Sequence, residues 1–211
     1  MSRGERLTTT SYAILGLLAV RPWTTYELTQ QMDRSLRRVW PRAKSKLYEE
    51  PKKLVALGLA GATEEPVGRR PRTVYAITAK GRRALAEWLG RPGEGPVLEF
   101  EQLLQISFAE NGTKQDALAT LAATRAWAVE QNEENLAVAH AYLAGEGLFQ
   151  QRVAQNSLGG RFLTDYYAMV KEWAEWATGL VEQWPDDPRR ATVDLPSMRE
   201  TVRRAERTAR P

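Results

Sequence analysis

Gly68-Arg69-Arg70-Pro71-Arg72-Thr73-Val74-Tyr75-Ala76-Ile77-Thr78 changes character twice within one short stretch. It begins as a turn, because glycine and proline surround three arginines and no helix can continue through that composition. From Thr73 to Ile77 the β-branched and aromatic residues predict a strand. Thr78 then stands where an N-cap belongs, ahead of a helix predicted over Ala79–Leu89. Upstream, residues 59–65 form a second strand-like run, so the pair predicts a hairpin with a cationic tip.

Toward the N-terminus the period becomes helical. The apolar run at residues 12–20 follows several possible caps among Thr8 to Ser11 and reads as a buried helix, ended by Arg21-Pro22. Thr24 or Thr25 caps a short second helix carrying Tyr26, Leu28 and Met32. A basic connector over residues 33–39 leads past Trp40-Pro41. The third helix is predicted over residues 43–57, with Leu47, Leu54 and Leu57 on one face and Gly58 as its stop. Three helices, a hairpin and a closing helix define a winged helix-turn-helix.

Beyond the hairpin, residues 90–96 hold three glycines and two prolines and read as a domain boundary. Everything after it is helical in period. Val97, Phe100, Leu104 and Phe108 predict one helix, and Thr113-Lys114-Gln115-Asp116 resembles a capping box opening a long one. Leu118, Ala122, Val129, Leu136, Ala139 and Leu143 recur as the apolar seam of that helix, with Arg125 and Asn132 as its polar members. Gly145-Glu146-Gly147 breaks it, and residues 148–160 read as a short helix plus a loop. Phe162, Tyr166, Met169, Trp173, Trp176 and Leu180 follow at 4-3-4-3-4 spacing; the two long helices read as a packed antiparallel pair or a dimer arm, and this apolar stripe is expected to form a homodimer interface. The fold class is therefore mainly α with a small β-hairpin. Residues 1–91 are expected as the winged domain, 92–184 as a long-helix dimerisation domain, and 185–211 as a basic flexible tail in which 197–208 has a marginal helical pattern.

The 211 residues contain no cysteine and one histidine, which removes thiolate metal sites, cysteine nucleophiles and multi-histidine centres together. No catalytic residue, metal site or cofactor is expected, and the chain does not read as an enzyme. Asp186-Asp187 and Glu133-Glu134 are chain neighbours rather than facing acid–base pairs, and His140 reads as an ordinary helix residue. The net charge of +4 conceals an asymmetry: residues 1–91 carry 18 Lys/Arg against 8 Asp/Glu, whereas residues 92–184 carry 5 against 13. The basic half suits a polyanion. The longest apolar run falls short of the ~20 residues a spanning helix needs. Glu5 and the lack of a small-residue cleavage site before Arg21-Pro22 argue against a secretory signal, so no membrane is expected and the cytoplasm is the expected location.

Several of these segments resemble the PadR family of winged-helix transcriptional regulators. The residues that carry the resemblance are Tyr12-Ala13-Ile14-Leu15-Gly16-Leu17-Leu18, Thr25-Tyr26-Glu27-Leu28, Leu47-Tyr48 followed by Gly58-Leu59, and the block from Gly68 through Thr78 to Lys80-Gly81. Their order across residues 8–90 is more specific than any one piece. The resemblance implies a DNA-binding regulator, a repressor released by a small aromatic or drug-like effector, with the helical second half used to dimerise. Two positions depart from the family pattern. Thr25 replaces a common glycine at a helix start, and Pro51 replaces an aliphatic residue inside the recognition helix. A proline there removes a hydrogen bond and clashes with the carbonyl of Leu47, costing ~3 kcal/mol in a helix interior, so a kink or break is expected.

A DNA reader needs cations for phosphates and a rigid element for the major groove. Lys44, Ser45 and Lys46 are assigned to groove entry at the start of the third helix, with Tyr48 partly packed and its hydroxyl toward phosphate. Arg69, Arg70 and Arg72 sit at the hairpin tip, where long cationic side chains reach backbone or minor groove. Tyr26 is either a phosphate donor or a half-buried core tyrosine, while Glu49 and Glu50 are expected to face away from DNA. Trp127, Trp173 and Trp176 are either core or an effector pocket. The expected partners are a double-stranded DNA operator and a second copy of the chain. The alternative reading is a helical adaptor whose winged unit contacts protein instead.

Overall fold

A computed structural model of the chain describes residues 7–41, 44–67 and 70–209, and it divides into two compact units, Met1–Pro96 and Val97–Pro211. The first unit runs α1 (Thr9–Val20), β1 (Trp23–Thr24), α2 (Thr25–Ser35), α3 (Lys44–Ala56), β2 (Ala60–Val67), β3 (Arg70–Ile77) and α4 (Ala79–Leu89). The strands form one antiparallel sheet in the order β1-β3-β2. Thr8 caps α1 and Thr24 caps α2, each with a reciprocal capping box closed by Ser11 and Glu27. The hairpin pairs Ala60 with Ile77 through to Val67 with Arg70, as its alternating composition requires. Strand β1 pairs Trp23 with Tyr75 and Thr24 with Val74. Two residues carry too little pattern for sequence to separate them from the turn after α1.

The core of this unit is made of large side chains. Ile14, Leu15 and Leu18 of α1 meet Leu28 and Met32 of α2, Leu54 of α3, and Trp23, Leu59 and Tyr75 around the sheet, all at most 5% exposed. Helix α3 runs from Lys44 to Ala56 through Pro51, so the break expected at the proline is absent. The Pro51 ring is fully buried, and its apolar burial offsets the hydrogen bond that its nitrogen cannot make.

The second unit holds α5 (Glu101–Ser107), α6 (Lys114–Leu143), α7 (Val153–Val181) and α8 (Leu195–Thr208), with α6 and α7 as an antiparallel hairpin. The capping box at Thr113 and Asp116 is present. Helix α7 begins at Val153, so Gly159 and Gly160 lie within it rather than in a loop. The predicted seam of α6 is displaced by one position. The buried residues are Ala117, Leu121, Thr124, Ala128 and Asn135, facing Tyr167, Val170, Ala174, Ala177 and Val181 of α7. One position along a helix is a rotation of about 100°, so Leu136, Ala139 and Leu143 stay outside. Small residues win the seam because they let the backbones approach, and Asn135 is satisfied there by Gly160 O at 3.2 Å and Thr164 Oγ1 at 2.8 Å. Residues 195–208 are helical, on the stretch whose pattern supported only a marginal helix.

Candidate nucleic-acid interface

Helix α3 is held on α1 and on the hairpin at three levels. At its C-terminal end, Gly58 adopts φ +69°, and the Leu59 amide returns to Leu54 O at 2.8 Å, a left-handed stop that glycine makes without strain. The Thr78 hydroxyl donates to Gly58 O at 2.8 Å and Lys80 Nζ to Leu57 O at 2.8 Å. Gly81 lies so close that a Cβ there would stand 2.1 Å from Leu59 O. The Thr78, Lys80 and Gly81 block is therefore a clamp on the end of α3. In the middle, the buried Ser11 hydroxyl of α1 donates to Glu50, which also accepts from Lys53 Nζ at 3.3 Å. Below them, fully buried Leu54 and Pro51 anchor the inner face.

The outer face is thereby set. Tyr48 is 48% exposed and Glu49 and Lys52 lie open beside it. Glu49, expected like Glu50 to turn away from DNA, lies open beside Tyr48, whereas Glu50 faces inward as a strut between helices. That role escaped the sequence because its partner lies 39 residues away. Lys52 is a candidate that sequence reading missed, and its spacing of four from Tyr48 was the available signal. Lys44, Ser45 and Lys46 occupy the first turn of α3; their side chains, that of Arg70 and the whole of Arg69 lie outside the described residues. Tyr26 is 66% exposed near the start of α2 and accepts from Gln30 Nε2 at 2.6 Å, which disposes of its reading as a half-buried core residue.

On the hairpin, Arg72 is engaged by a cross-strand carboxylate, with Nε and Nη2 donating to Glu65 Oε2 at 3.1 and 2.8 Å. The partner was hidden because it depends on hairpin register. Behind the site, the α2 cap is charged: the backbone amide of Thr24, with its hydroxyl and Arg21, holds the Glu27 carboxyl below the usual carboxylate range.

In the helical unit, Trp127 meets Tyr166 and Tyr167 edge-on with centroids 6.5 and 5.7 Å away. Burial pushes the Tyr166 phenol up. Trp173 packs on Phe100 at 5.7 Å and on the Ala117–Leu121–Ala177–Val181 cluster, and Trp176 is 48% exposed. Trp127 and Trp173 thus belong to different ring groups. Of the predicted dimer stripe, Phe162, Met169 and Trp176 are exposed, while Tyr166, Trp173 and Leu180 are half-buried. The intramolecular seam lies one position over. Among the described residues no cluster suits a metal ion, and no helix is long and apolar enough to cross a membrane.

A basic three-helix unit with a β-wing and a clamped third helix is the architecture of winged helix-turn-helix regulators. Residues 14–87 match the Transcriptional regulator PadR-like family, and the chain carries a PadR-like domain; that family is one of transcriptional regulators, not enzymes. The chain is 30% identical over 108 residues to the Negative transcriptional regulator PadR of Bacillus subtilis, a match covering 50% of this chain and 59% of that protein. The fold is that of Bacillus subtilis PadR solved with operator DNA, at a TM-score of 0.72 and 21% identity over 82% of this chain and 99% of that one. The same protein solved with p-coumaric acid matches at a TM-score of 0.65 and 20% identity over 87% of this chain and 99% of that one.

Proposed function

We propose that this chain is a cytoplasmic, operator-binding transcriptional repressor that works as a homodimer and is released by a small aromatic effector. The observation that carries the reading is the three-level attachment of α3, which commits one face of a helix outward from a unit with a large excess of Lys/Arg. Lys44, Ser45 and Lys46 enter the major groove from the first turn of α3. Tyr48 and Tyr26 offer hydroxyls to phosphate, with Lys52 beside them, and Arg69, Arg70 and Arg72 contact the flanking backbone from the wing. The stripe of Phe162, Tyr166, Met169, Trp173, Trp176 and Leu180 joins two copies, so that each winged unit reads one half-site.

An effector acts by favouring a dimer whose recognition helices no longer match the half-site spacing. Trp127, Trp173 and Trp176 are the rings assigned to it. The group of Trp127 with Tyr166 and Tyr167 offers ring edges to a planar aromatic acid of the kind present in the Bacillus subtilis complex. The test is selection of genomic fragments by the purified protein, followed by gel shifts on the operator recovered. Lys46→Ala and Arg70→Ala are each expected to weaken binding and make the salt slope shallower by about one. Retention of both affinity and slope in both variants overturns the assignment. Quenching of tryptophan fluorescence by p-coumaric acid, coupled to loss of the shifted band, checks the effector.

A further inference from the structure

The residues that α3 buries define its outermost line. Pro51 and Leu54 are fully buried, and the Ser11 hydroxyl holds Glu50 toward α1. At about 100° per residue, the direction opposite Pro51 and Leu54 passes about 10° from Glu49, about 50° from Lys52 and about 90° from Tyr48. Glu49 and Lys52 are exposed, and neither has a hydrogen bond or ion pair among the described residues. By contrast, Glu27, Glu50 and Glu65 pair with Arg21, Lys53 and Arg72 at 3.2, 3.3 and 2.8 Å. The crest of the helix assigned to the major groove is therefore an acid, and its own unit supplies it with no cation among the described residues.

The position decides what such an acid can meet. A helix lying in the major groove turns its flanks to the phosphate walls and its crest to the base edges. On a flank, a carboxylate would repel phosphate. At the crest it needs a donor, and only the exocyclic amino groups of cytosine and adenine supply one there. Adenine sets the N7 acceptor beside its amino group, so a carboxylate that accepts from N6 is repelled by N7. Guanine N7 and O6 and thymine O4 are acceptors and repel it outright. Cytosine N4 is the donor without an acceptor on the same base edge, and it is the group from which Glu accepts in the groove.

We propose that Glu49 is a specificity-determining residue, accepting from cytosine N4 at one position of each half-site. The proposal rests on the DNA-binding reading above and adds the base that the crest of α3 selects. Its test is selection of duplex fragments by the full-length chain, repeated with Glu49→Ala, Glu49→Gln and Lys52→Ala. The wild type should return one cytosine position whose preference Glu49→Ala loses while the rest of the operator stays the same. Discrimination against the same duplex with thymine at that position should shrink about fivefold or more per half-site. Glu49→Gln should move the preferred base there from cytosine to adenine, because an amide donates to N7 and accepts from N6. Lys52→Ala should instead weaken all duplexes alike and make the salt slope shallower by about one. Glu49 is exposed and unpaired among the described residues, so its variants should melt with the wild type, and a change of preference is then not unfolding. Unchanged base preference in Glu49→Ala, or uniform tightening on every duplex, overturns the proposal and leaves Glu49 a repulsive surface charge. Adenine rather than cytosine at the affected wild-type position overturns it as well. A wild type that selects no sequence removes the DNA-binding reading together with this proposal, whereas a selective wild type with an unaffected Glu49→Ala removes this proposal alone.

Discussion

The winged unit and the helical unit solve burial in opposite ways. The first packs Ile14, Leu15, Leu28, Leu54 and Tyr75 into an interior that one chain closes for itself. The second closes its hairpin with Leu121, Tyr167, Val170 and Val181 among the small Ala117, Thr124, Ala128, Ala174 and Ala177, and leaves Phe162, Met169 and Trp176 outside. Large exposed apolar side chains at helical spacing outside a closed hairpin suit a surface that meets another one. On the proposed reading, the winged unit is a complete body and the helical unit is half of a homodimer.

The contrast breaks most visibly under truncation. Leu54→Ala should cost the winged unit about 2–5 kcal/mol, read as a melting shift independent of protein concentration. Trp176→Ala should leave a dilute chain's melting nearly unmoved and instead weaken dimerisation by about 2–4 kcal/mol, read by sedimentation equilibrium. Equal, concentration-independent losses in both variants would make the α7 stripe ordinary core.

The same contrast explains what the sequence made legible. The winged fold could be read because its signals are local: a turn of glycine, proline and arginine, a β-branched run, a threonine cap and a glycine that α4 needs against Leu59. The seam of α6 lies one residue from the row that hydropathy predicts, because hydropathy favours the row with Val129, Leu136 and Leu143, while packing on α7 selects the row in which Thr124 and Asn135 are buried. Strand β1 was missed because two residues carry no period. At the site, the exposed Tyr48 and Tyr26 follow from helix position, whereas the Ser11–Glu50 strut and the Arg72–Glu65 pair join residues whose meeting depends on tertiary packing or register.

The strut offers the next largest effect. Ser11→Ala removes a donor from a carboxylate that is mostly buried, and the loss should be about 1–3 kcal/mol. Glu50→Gln keeps a hydrogen-bonding group in place and should be milder. If Glu50 sets the rotation of α3, Ser11→Ala should reduce operator affinity more than nonspecific duplex affinity, because phosphate contacts tolerate rotation better than base contacts. Equal loss on both DNAs would leave the strut a stability element alone.

Acid distinguishes the units less sharply. Glu27 in the winged unit and Asp116 and Glu175 in the helical unit are all held below their ordinary values, chiefly by hydrogen bonds from Thr24, Thr113 and Arg125 respectively. A depressed folded-state pKa contributes stability that is present above the unfolded value and is lost as pH falls through the folded one. Melting temperature should therefore hold from neutral pH downward and decline below about pH 4. Glu27→Gln should flatten part of that decline, and a decline beginning near pH 6 would point to other groups.

The smallest expected effect is the most informative about the wing. Arg72 and Glu65 are about half exposed, at 53% and 45%, so their pairing should contribute only about 0–1 kcal/mol to stability, and Glu65→Gln should hardly move the melting temperature. Its effect on DNA depends on what the carboxylate does. If Glu65 competes with phosphate for the guanidinium, Glu65→Gln frees a cation and removes a nearby negative charge. Binding should then tighten, with a salt slope steeper by up to about one. If instead Glu65 holds the guanidinium in a position that phosphate can share, affinity should fall although the wing is more positive. On the proposed DNA-binding reading, the winged unit's excess of Lys/Arg favours the first outcome, because a freed cation adds to a surface that meets phosphate. Gel shifts at two salt concentrations on one operator decide it, and identical affinity and slope in both proteins would remove Arg72 from the interface.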